Sequence, residues 1–267
     1  MSIVILTLPD DARRSFSNRL HKVTGEAVEL VILQKSLRRN IPFFRQIKNF
    51  YKNGGAFGIL EELWHALNLR FSSRARQALD YFRERNIPDS AEAGFLPKIL
   101  EVRSHNSAEA LAVLKKISPD LLIVWSNTII SPEVISTAKH AINLHMGLCP
   151  HYRGSVANQY ALLLEPERVG ATVHHVEPGV DTGDIIETLT INLSEPPKEA
   201  FRDLNNRAEE LFLDTAKKLH AGEKLQRQPQ DKSTGKNFRL KDWTPKIRAR
   251  VAKVLLDWEK RGSLTKV

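Results

Sequence analysis

Three polar side chains in the middle of the sequence have the types and the spacing that acyl-group transfer needs. Asn143 and His145 are two positions apart in a predicted strand, so both point to the same side of an extended backbone. Asp181 follows in a glycine-flanked turn, residues 178–184, which can bring a carboxylate back over the strand ends. An amide can donate to a developing oxyanion, an imidazole can donate to it or move a proton, and a carboxylate can orient and charge the imidazole. An Asn-x-His pair alone is weak support for this chemistry, so the surrounding residues decide.

Several further motifs accompany this trio in a fixed order. The stretch 143–154 reads Asn-Leu-His-Met-Gly-Leu-Cys-Pro-His-Tyr-Arg-Gly, and it is followed by Gln159, by Thr172-Val173-His174 and by Gly179-Val180-Asp181-Thr182-Gly183-Asp184. Together these residues closely resemble the signature of folate-dependent formyltransferases, which include glycinamide ribonucleotide, methionyl-tRNA and nucleotide-sugar formyltransferases. The resemblance is strong over about 120–221, moderate at the first strand and absent over 35–85.

The resemblance implies a role for each matching residue. Asn143 would donate to the oxyanion, His145 would polarise the formyl group or relay a proton, and Asp181 would orient His145. The implied co-substrate is 10-formyltetrahydrofolate. Positions that would contact its pterin are Asn127, Thr128 and Ile130 on one side and Gly179 and Val180 on the other, and possible substrate-site residues are His174, Arg153 and Gln159.

Three residues depart from the family pattern. Met146 stands where the family has Pro, Gly147 where it has Ser, and Cys149 where it has Leu. Without the proline ring, and with a glycine, the loop after His145 is expected to be looser, which puts efficiency in question more than reaction type. Cys149 is interpreted as a packed residue, and with one cysteine and no suitably spaced histidines no metal site is expected.

Short β-branched runs that alternate with longer polar-periodic segments predict an α/β fold, and the resemblance makes it a Rossmann-like doubly wound, mostly parallel sheet of the formyltransferase type. The first loop, Thr7-Leu8-Pro9-Asp10-Asp11, has no glycine and carries two carboxylates, so the dinucleotide-binding fingerprint is absent. Strands are predicted at 3–8, 28–33, 99–102, 121–125, 141–144, 170–177 and 184–193, and helices at about 10–23, 108–117, from 132, 197–221 and 245–261.

The positive charge is concentrated in two segments of the 267-residue chain, whose formal net charge is +9. Residues 35–85, predicted helical with a break at Gly54-Gly55, carry eleven Lys and Arg against four Asp and Glu, with aromatic residues interleaved. Residues 217–267 carry fifteen against five. We therefore expect a catalytic domain at 1–221 with a basic helical insert at 35–90, and a short basic C-terminal extension at 222–267. The favoured interpretation of the insert is a helical lid whose aromatic residues pack on the body and whose cations are solvated; a surface for nucleic acid or membrane is the alternative.

The acceptor is the least determined part of the function. Residues 6–11 lack the glycine and serine of the phosphate-gripping loop in glycinamide ribonucleotide enzymes, and the 222–267 segment is short for the C-terminal barrel of methionyl-tRNA enzymes. The expected acceptor is therefore a small, anionic primary amine, that of an amino-sugar nucleotide. Alternatives are a methionyl-tRNA or hydroxyornithine formyltransferase, a hydrolase that releases formate, and a binding protein whose basic insert holds nucleic acid or membrane.

The expected setting is the cytoplasm. A single cysteine excludes an intramolecular disulfide, and the first eight residues lack the basic flank and cleavage site of a signal peptide. No uncharged apolar stretch approaches the roughly 20 residues that span a bilayer. A homodimer is possible.

Overall fold

The computed structural model describes residues 1–35, 43–87, 94–126 and 128–264, and a β-sheet lies at its centre. The strands in chain order are β1 (Ile3–Thr7), β2 (Val28–Gln34), β3 (Ile99–Val102), β4 (Leu121–Trp125), β5 (His140–His145), β6 (Tyr152–Arg153), β7 (Gly170–His175), β8 (Ile185–Thr190) and β9 (Lys236–Asn237). Within the described ranges, seven of them form one sheet in the order β3-β2-β1-β4-β5-β7-β8, and β6 pairs with β9.

The central sheet is mostly parallel. Strand β1 runs parallel to β2 and β4, β2 is parallel to β3, and β4 is parallel to β5, whereas β7 is antiparallel to β5 and β8. This topology confirms the predicted Rossmann-like α/β fold. The order of the strands reverses between β1 and β4, and in such sheets ligands bind beyond the carboxyl ends of the strands at that reversal.

Helices cover both faces of the sheet. In chain order they are α1 (Asp11–Val23), α2 (Phe43–Phe71), α3 (Ser73–Asp80), α4 (Ala108–Ile117), α5 (Pro132–Ile135), α6 (Ala157–Leu164), α7 (Pro197–His220) and α8 (Pro245–Arg261). Local signals start them: the Asp10 side chain accepts from the Arg13 N–H at the start of α1, and Thr244 caps α8 in the same way ahead of Pro245. No helix in the described parts of the chain is long and apolar enough to cross a membrane.

Two helical features differ from the sequence expectation. Helix α2 runs through Gly54-Gly55, where a break was predicted, although Gly55 takes a φ of 61°. The packing of Phe50 and Leu69 against the body on either side holds the helix despite the glycines. Helix α6 was not predicted, because Val156 at its start offers no side-chain cap and the segment lacks a clear period.

Alternation along β1 divides the core between the two faces of the sheet. Ile3 and Ile5 join the cluster under α1 and α7, whereas Val4 and Leu6 join the cluster under α4 and α5. All four side chains are fully buried. Burial on both faces is what a continuous apolar run in a central parallel strand predicts.

Residues 222–264 return to the body instead of extending from it. Strand β9 pairs with β6, Gln228 forms an isolated bridge with Ile185, and α8 packs against α2 and α3 through a small cluster that includes Leu69 and Ala252. The division of the chain at residue 221 stays a prediction, but the segment beyond it contacts both the insert and the loops near the polar trio.

Candidate active site

Strand β5 ends with the Asn-x-His pair, and its antiparallel partner β7 adds a second histidine. The register places Asn143 opposite His174 and His145 opposite Thr172. The Asn143 Nδ2 lies 3.1 Å from His174 Nε2. His174 Nδ1 donates to the His175 carbonyl at 2.7 Å, and its Nε2 faces both the Asn143 amide and Asp181. The Asn143 amide carries two hydrogens, and among the described residues only His174 lies near them, so one can serve a ligand.

The turn after β7 carries Asp181 back over the ends of these strands. Asp181 has a φ of 51°, which is uncommon for a residue with a side chain, and Gly179 has a φ of 131°. A Cβ at Gly179 would lie 2.4 Å from Thr182 Oγ1, so only glycine fits there. This strained turn places Asp181 Oδ2 3.3 Å from His145 Nδ1 and Oδ1 3.6 Å from His174 Nε2.

Asp181 is ionised in this environment. Burial alone would raise the pKa of its carboxyl group, but the imidazoles of His145 and His174 and the Gly154 N–H, which donates to Oδ2 at 2.9 Å, outweigh that effect. The net result is a pKa well below the ordinary aspartate value. The structure therefore holds a fixed negative charge between two histidines.

Both ring nitrogens of His145 face oxygen acceptors. Besides Asp181 at Nδ1, the Tyr152 carbonyl oxygen lies 3.0 Å from Nε2. The side chain is buried, with 7% of its surface exposed. The Tyr152 carbonyl oxygen can only accept, so Nε2 carries a hydrogen. Donation from Nε2 to a ligand therefore requires the bond to Tyr152 to break.

Gly147 makes this orientation of His145 possible. A Cβ at residue 147 would lie 2.4 Å from His145 Nε2 and 2.6 Å from the Tyr152 carbonyl oxygen. The loop is also not left loose by the missing proline, because Thr172 Oγ1 donates to the Gly147 carbonyl at 2.8 Å and accepts from the Cys149 N–H at 3.0 Å. The Thr of the Thr-x-His motif thus fixes the loop after His145.

Cys149 lies beneath the Asp181 turn. Its thiol donates to the Asp181 carbonyl at 3.5 Å, and burial, with the nearby Asp181 charge, raises the pKa of the thiol to about 12. A thiol that stays protonated is a poor nucleophile. The residue packs under the turn, as its sequence context predicted.

Gln230 holds the same turn from the other side. Its Nε2 donates to the Asp181 carbonyl at 3.1 Å and to the Gly183 carbonyl at 2.6 Å, and the side chain is buried. Residue 230 belongs to the C-terminal segment, 49 positions from Asp181. No motif in the sequence marked it.

A cleft of about 230 Å³ opens at this edge of the sheet. Among the residues predicted from the sequence, its lining includes Asn143, His145, His174, Asp181, Thr128, Ile130, Gly179 and Val180. Asn127 lies outside the described residues. Arg153, in β6, and Gln159, on α6, are not part of this lining, because β6 pairs with β9 at the outer side of the loop.

Arg13 and Trp125 also line the cleft, and sequence reasoning had not assigned them a role there. The Arg13 Nε donates to the Trp125 carbonyl at 2.9 Å, and its guanidinium lies 5.0 Å from the centre of the indole ring. Both residues follow directly from the topology, since the first turn of α1 and the end of β4 meet where the strand order reverses. Their place at the reversal of strand order is the feature by which Arg13 and Trp125 could be predicted as cleft residues.

Comparison with known proteins identifies the family. The family model described as formyl transferase matches residues 68–213. The methionyl-tRNA formyltransferase of Acidothermus cellulolyticus is 35% identical over 139 residues, which is 50% of this chain and 42% of that protein. The corresponding protein of Corynebacterium aurimucosum is 30% identical over 162 residues, 57% of this chain and 48% of its own length. The chain thus spans less than half the length of these curated relatives.

Solved structures share the fold at low identity. A sugar N-formyltransferase from a Shewanella species has a TM-score of 0.56 at 14% identity and covers 94% of this chain and 88% of its own. A phosphoribosylglycinamide formyltransferase from Anaplasma phagocytophilum has a TM-score of 0.54 at 14% identity, and the match covers 83% of this chain and 88% of the other. Because the matching family model extends over more than half of the sequence and includes β5, β7 and the Asp181 turn, the chain belongs to the formyl transferase family.

Proposed function

We propose that this protein transfers a formyl group from 10-formyltetrahydrofolate to a primary amine, and that the amine belongs to an amino-sugar nucleotide. The observation that carries the proposal is the cluster of Asn143, His145, His174 and Asp181 at the mouth of one cleft. An amide donor, an imidazole N–H and a carboxylate suit an acyl transfer in which the acceptor itself is the nucleophile. No side-chain nucleophile is needed.

The residues of this chain have separable tasks in such a reaction. The donor supplies the formyl group, whose bond to the folate nitrogen breaks as the bond to the acceptor nitrogen forms; the proton that the amine loses ends on the leaving nitrogen. The unused N–H of Asn143 can donate to the formyl oxygen as negative charge develops there. Asp181 orients the His145 ring, and donation from its Nε2 to the same oxygen would follow release of the Tyr152 carbonyl.

The walls of the cleft suit a flat heterocyclic donor. Apolar side chains of Val124, Ile130 and Val176 line it, and the backbone of Gly179 and Val180 faces them across the opening. Open backbone groups opposite an apolar wall favour a planar ring with a hydrogen-bonding edge. These residues would hold the pterin.

The choice of acceptor is supported by the charge and the topology of the site. The first loop lacks the glycine-rich phosphate loop, while Arg13, which pairs with Asp10, places a guanidinium at the cleft, where the anionic part of a nucleotide could compete with Asp10 for it. Residues 236–261 contribute a short strand and a helix that pack on the body. Sugar N-formyltransferases are among the proteins that share the fold. Methionyl-tRNA as acceptor is the second candidate, because the curated relatives act on it by name.

Product analysis tests the proposal. The protein is incubated with 10-formyltetrahydrofolate and a panel of amino-sugar nucleotides, hydroxyornithine and methionyl-tRNA, with the Asp181→Asn variant as the inactive control. We expect formylated sugar nucleotide from the wild type. Turnover with charged tRNA or hydroxyornithine alone would overturn the acceptor assignment, and free formate without formylated product would instead indicate a hydrolase.

A further inference from the structure

Helix α2 exposes a continuous apolar stripe. Its members are Phe57, Leu60, Leu63, Trp64, Leu67 and Phe71, referred to here as the α2 stripe. Their spacing of three and four residues places them on one side of the helix. Phe57 is 77% exposed, Trp64 61% and Phe71 81%, and the three rings alone present on the order of 400 Å². With the leucines added, the patch reaches the size at which an exposed apolar surface on a monomer marks an interaction site.

The side of α2 opposite the stripe is the side that packs on the body. Glu62 and Leu69 are buried there, and Leu69 joins a cluster with Ala252 of α8. The stripe is therefore not the side by which α2 packs on the rest of the protein. None of the described residues covers the stripe.

The charges around the stripe are positive. The acids of α2 are Glu61 and Glu62, and both are occupied on the body side: Glu61 lies 2.8 Å from Lys246 Nζ, and Glu62 accepts the Lys246 backbone N–H at 2.8 Å. Arg70 and Arg74 lie exposed at the end of the stripe, and Arg74 is 3.7 Å from Glu259. The apolar surface thus has a basic border.

A second basic segment packs on the side of α2 opposite the stripe. Helix α8 packs against α2 and α3, so the segment 217–267, with fifteen Lys and Arg against five acids, meets the segment 35–85, with eleven against four. The two segments are far apart in sequence. The remainder of the chain, which includes the cleft, has more acids than bases.

We propose that the α2 stripe docks on an anionic lipid surface, with α2 lying in the interface plane. Aromatic rings and leucines would enter the headgroup boundary while the basic border faces lipid phosphates, which is the charge complementarity that this surface offers. A second copy of the chain would bring two like-charged borders together. Nucleic acid would leave Leu60, Leu63 and Leu67 without a stacking partner, because aliphatic side chains have no aromatic face. This inference does not depend on the proposed reaction.

Vesicle co-sedimentation tests the docking surface. The full chain is mixed with vesicles of phosphatidylcholine alone or with added phosphatidylglycerol, at low and at physiological salt. We expect binding to the anionic vesicles that weakens with salt and is absent with the neutral ones. The double substitution Phe57→Ser and Trp64→Ser should weaken binding at least about tenfold, since it removes most of the inserted ring area. Leu164→Ser, which removes an apolar side chain of similar exposure from α6, should bind as the wild type does.

A charge variant keeps the test independent of any effect on the fold. Arg70→Glu with Arg74→Glu leaves the stripe intact and should abolish the preference for anionic over neutral vesicles, with an unchanged circular dichroism spectrum. Absence of wild-type binding at low salt, or equal binding by the stripe variant, would overturn the proposal. A wild-type dimer that the stripe variant converts to monomer, or RNA binding that the stripe variant abolishes, would also overturn it by naming a different occupant.

Discussion

Gln230 lies in the C-terminal segment but acts on the turn that aims Asp181. Its two hydrogen bonds reach the carbonyls of Asp181 and Gly183 at 3.1 and 2.6 Å. The substitution Gln230→Met keeps the volume of the side chain and removes both N–H donors. The turn would then keep its packing and lose its polar tie to the C-terminal segment.

The expected cost follows from the two lost bonds. Each hydrogen bond of this type contributes about 0.5–1.5 kcal/mol, so the loss is about 1–3 kcal/mol. Part of it falls on the turn itself, where Asp181 already has a φ of 51°. A relaxed turn would move the carboxylate away from His145, and a displacement near 1 Å can cost up to about 10²-fold in rate. We therefore expect kcat for formyl transfer to fall by about 10- to 100-fold.

Steady-state kinetics and thermal denaturation separate positioning from simple stability. The matched control is Gln228→Met, two residues away, because the Gln228 side chain is exposed and only its backbone pairs with Ile185. The Gln230 variant should lose rate while the control keeps it, at a temperature where both are fully folded. If the Gln230 variant lost thermal stability but retained its kcat, Gln230 would be structural only and the positioning argument would be refuted.

Three further substitutions test the site and the core. Gly147→Ala places a Cβ 2.4 Å from His145 Nε2, so it should destabilise the fold by about 1–3 kcal/mol and lower kcat. Denaturant unfolding and steady-state kinetics measure the two effects, and a free energy of unfolding and a kcat equal to those of the wild type would contradict this prediction. Asp181→Asn removes the carboxylate charge beside His145 and should lower kcat about 10²- to 10⁴-fold, while Asp184→Asn, whose carboxylate pairs with a surface arginine, should not. Burial raises the pKa of Glu209 to about 7, so the native state keeps a proton that the unfolded chain releases, and stability is lost as pH rises from about 4.5 to 7. Glu209→Gln should shrink the difference in unfolding free energy between pH 5 and pH 8 by about 2–3 kcal/mol, and an unchanged difference would refute the assigned pKa.

Local pattern was sufficient for most of the fold. Strands 99–102 and 121–125 lie where they were predicted, and 121–125 is a continuous apolar run between polar segments, which has few other stable arrangements. At Gly54-Gly55 the helix α2 continues instead of ending, and the predicted break is limited to a local distortion in which Gly55 has a left-handed φ of 61°. The sequence prediction also missed α6, whose start has no capping side chain.

The family could be inferred from sequence because its motifs are short, ordered and chemically specific. Asn143, His145, His174 and Asp181 are within reach of one another as the motif spacing implied. Arg153 and Gln159 belong to the same set of motifs, yet they lie outside the cleft lining. A match to a motif indicates where a residue lies along the chain, but it does not determine which residues its side chain contacts.

The sequence by itself determined the strand and helix types, the order of the polar groups and the presence of two basic segments. Tertiary structure alone decided that Gln230 ties down the Asp181 turn and that α8 packs on the side of α2 opposite the α2 stripe, which brings the two basic segments together. The physical reason is that periodicity and residue type act over a few neighbours along the chain. Contacts between residues 49 or more positions apart depend on how the packed elements are oriented, which no local pattern encodes.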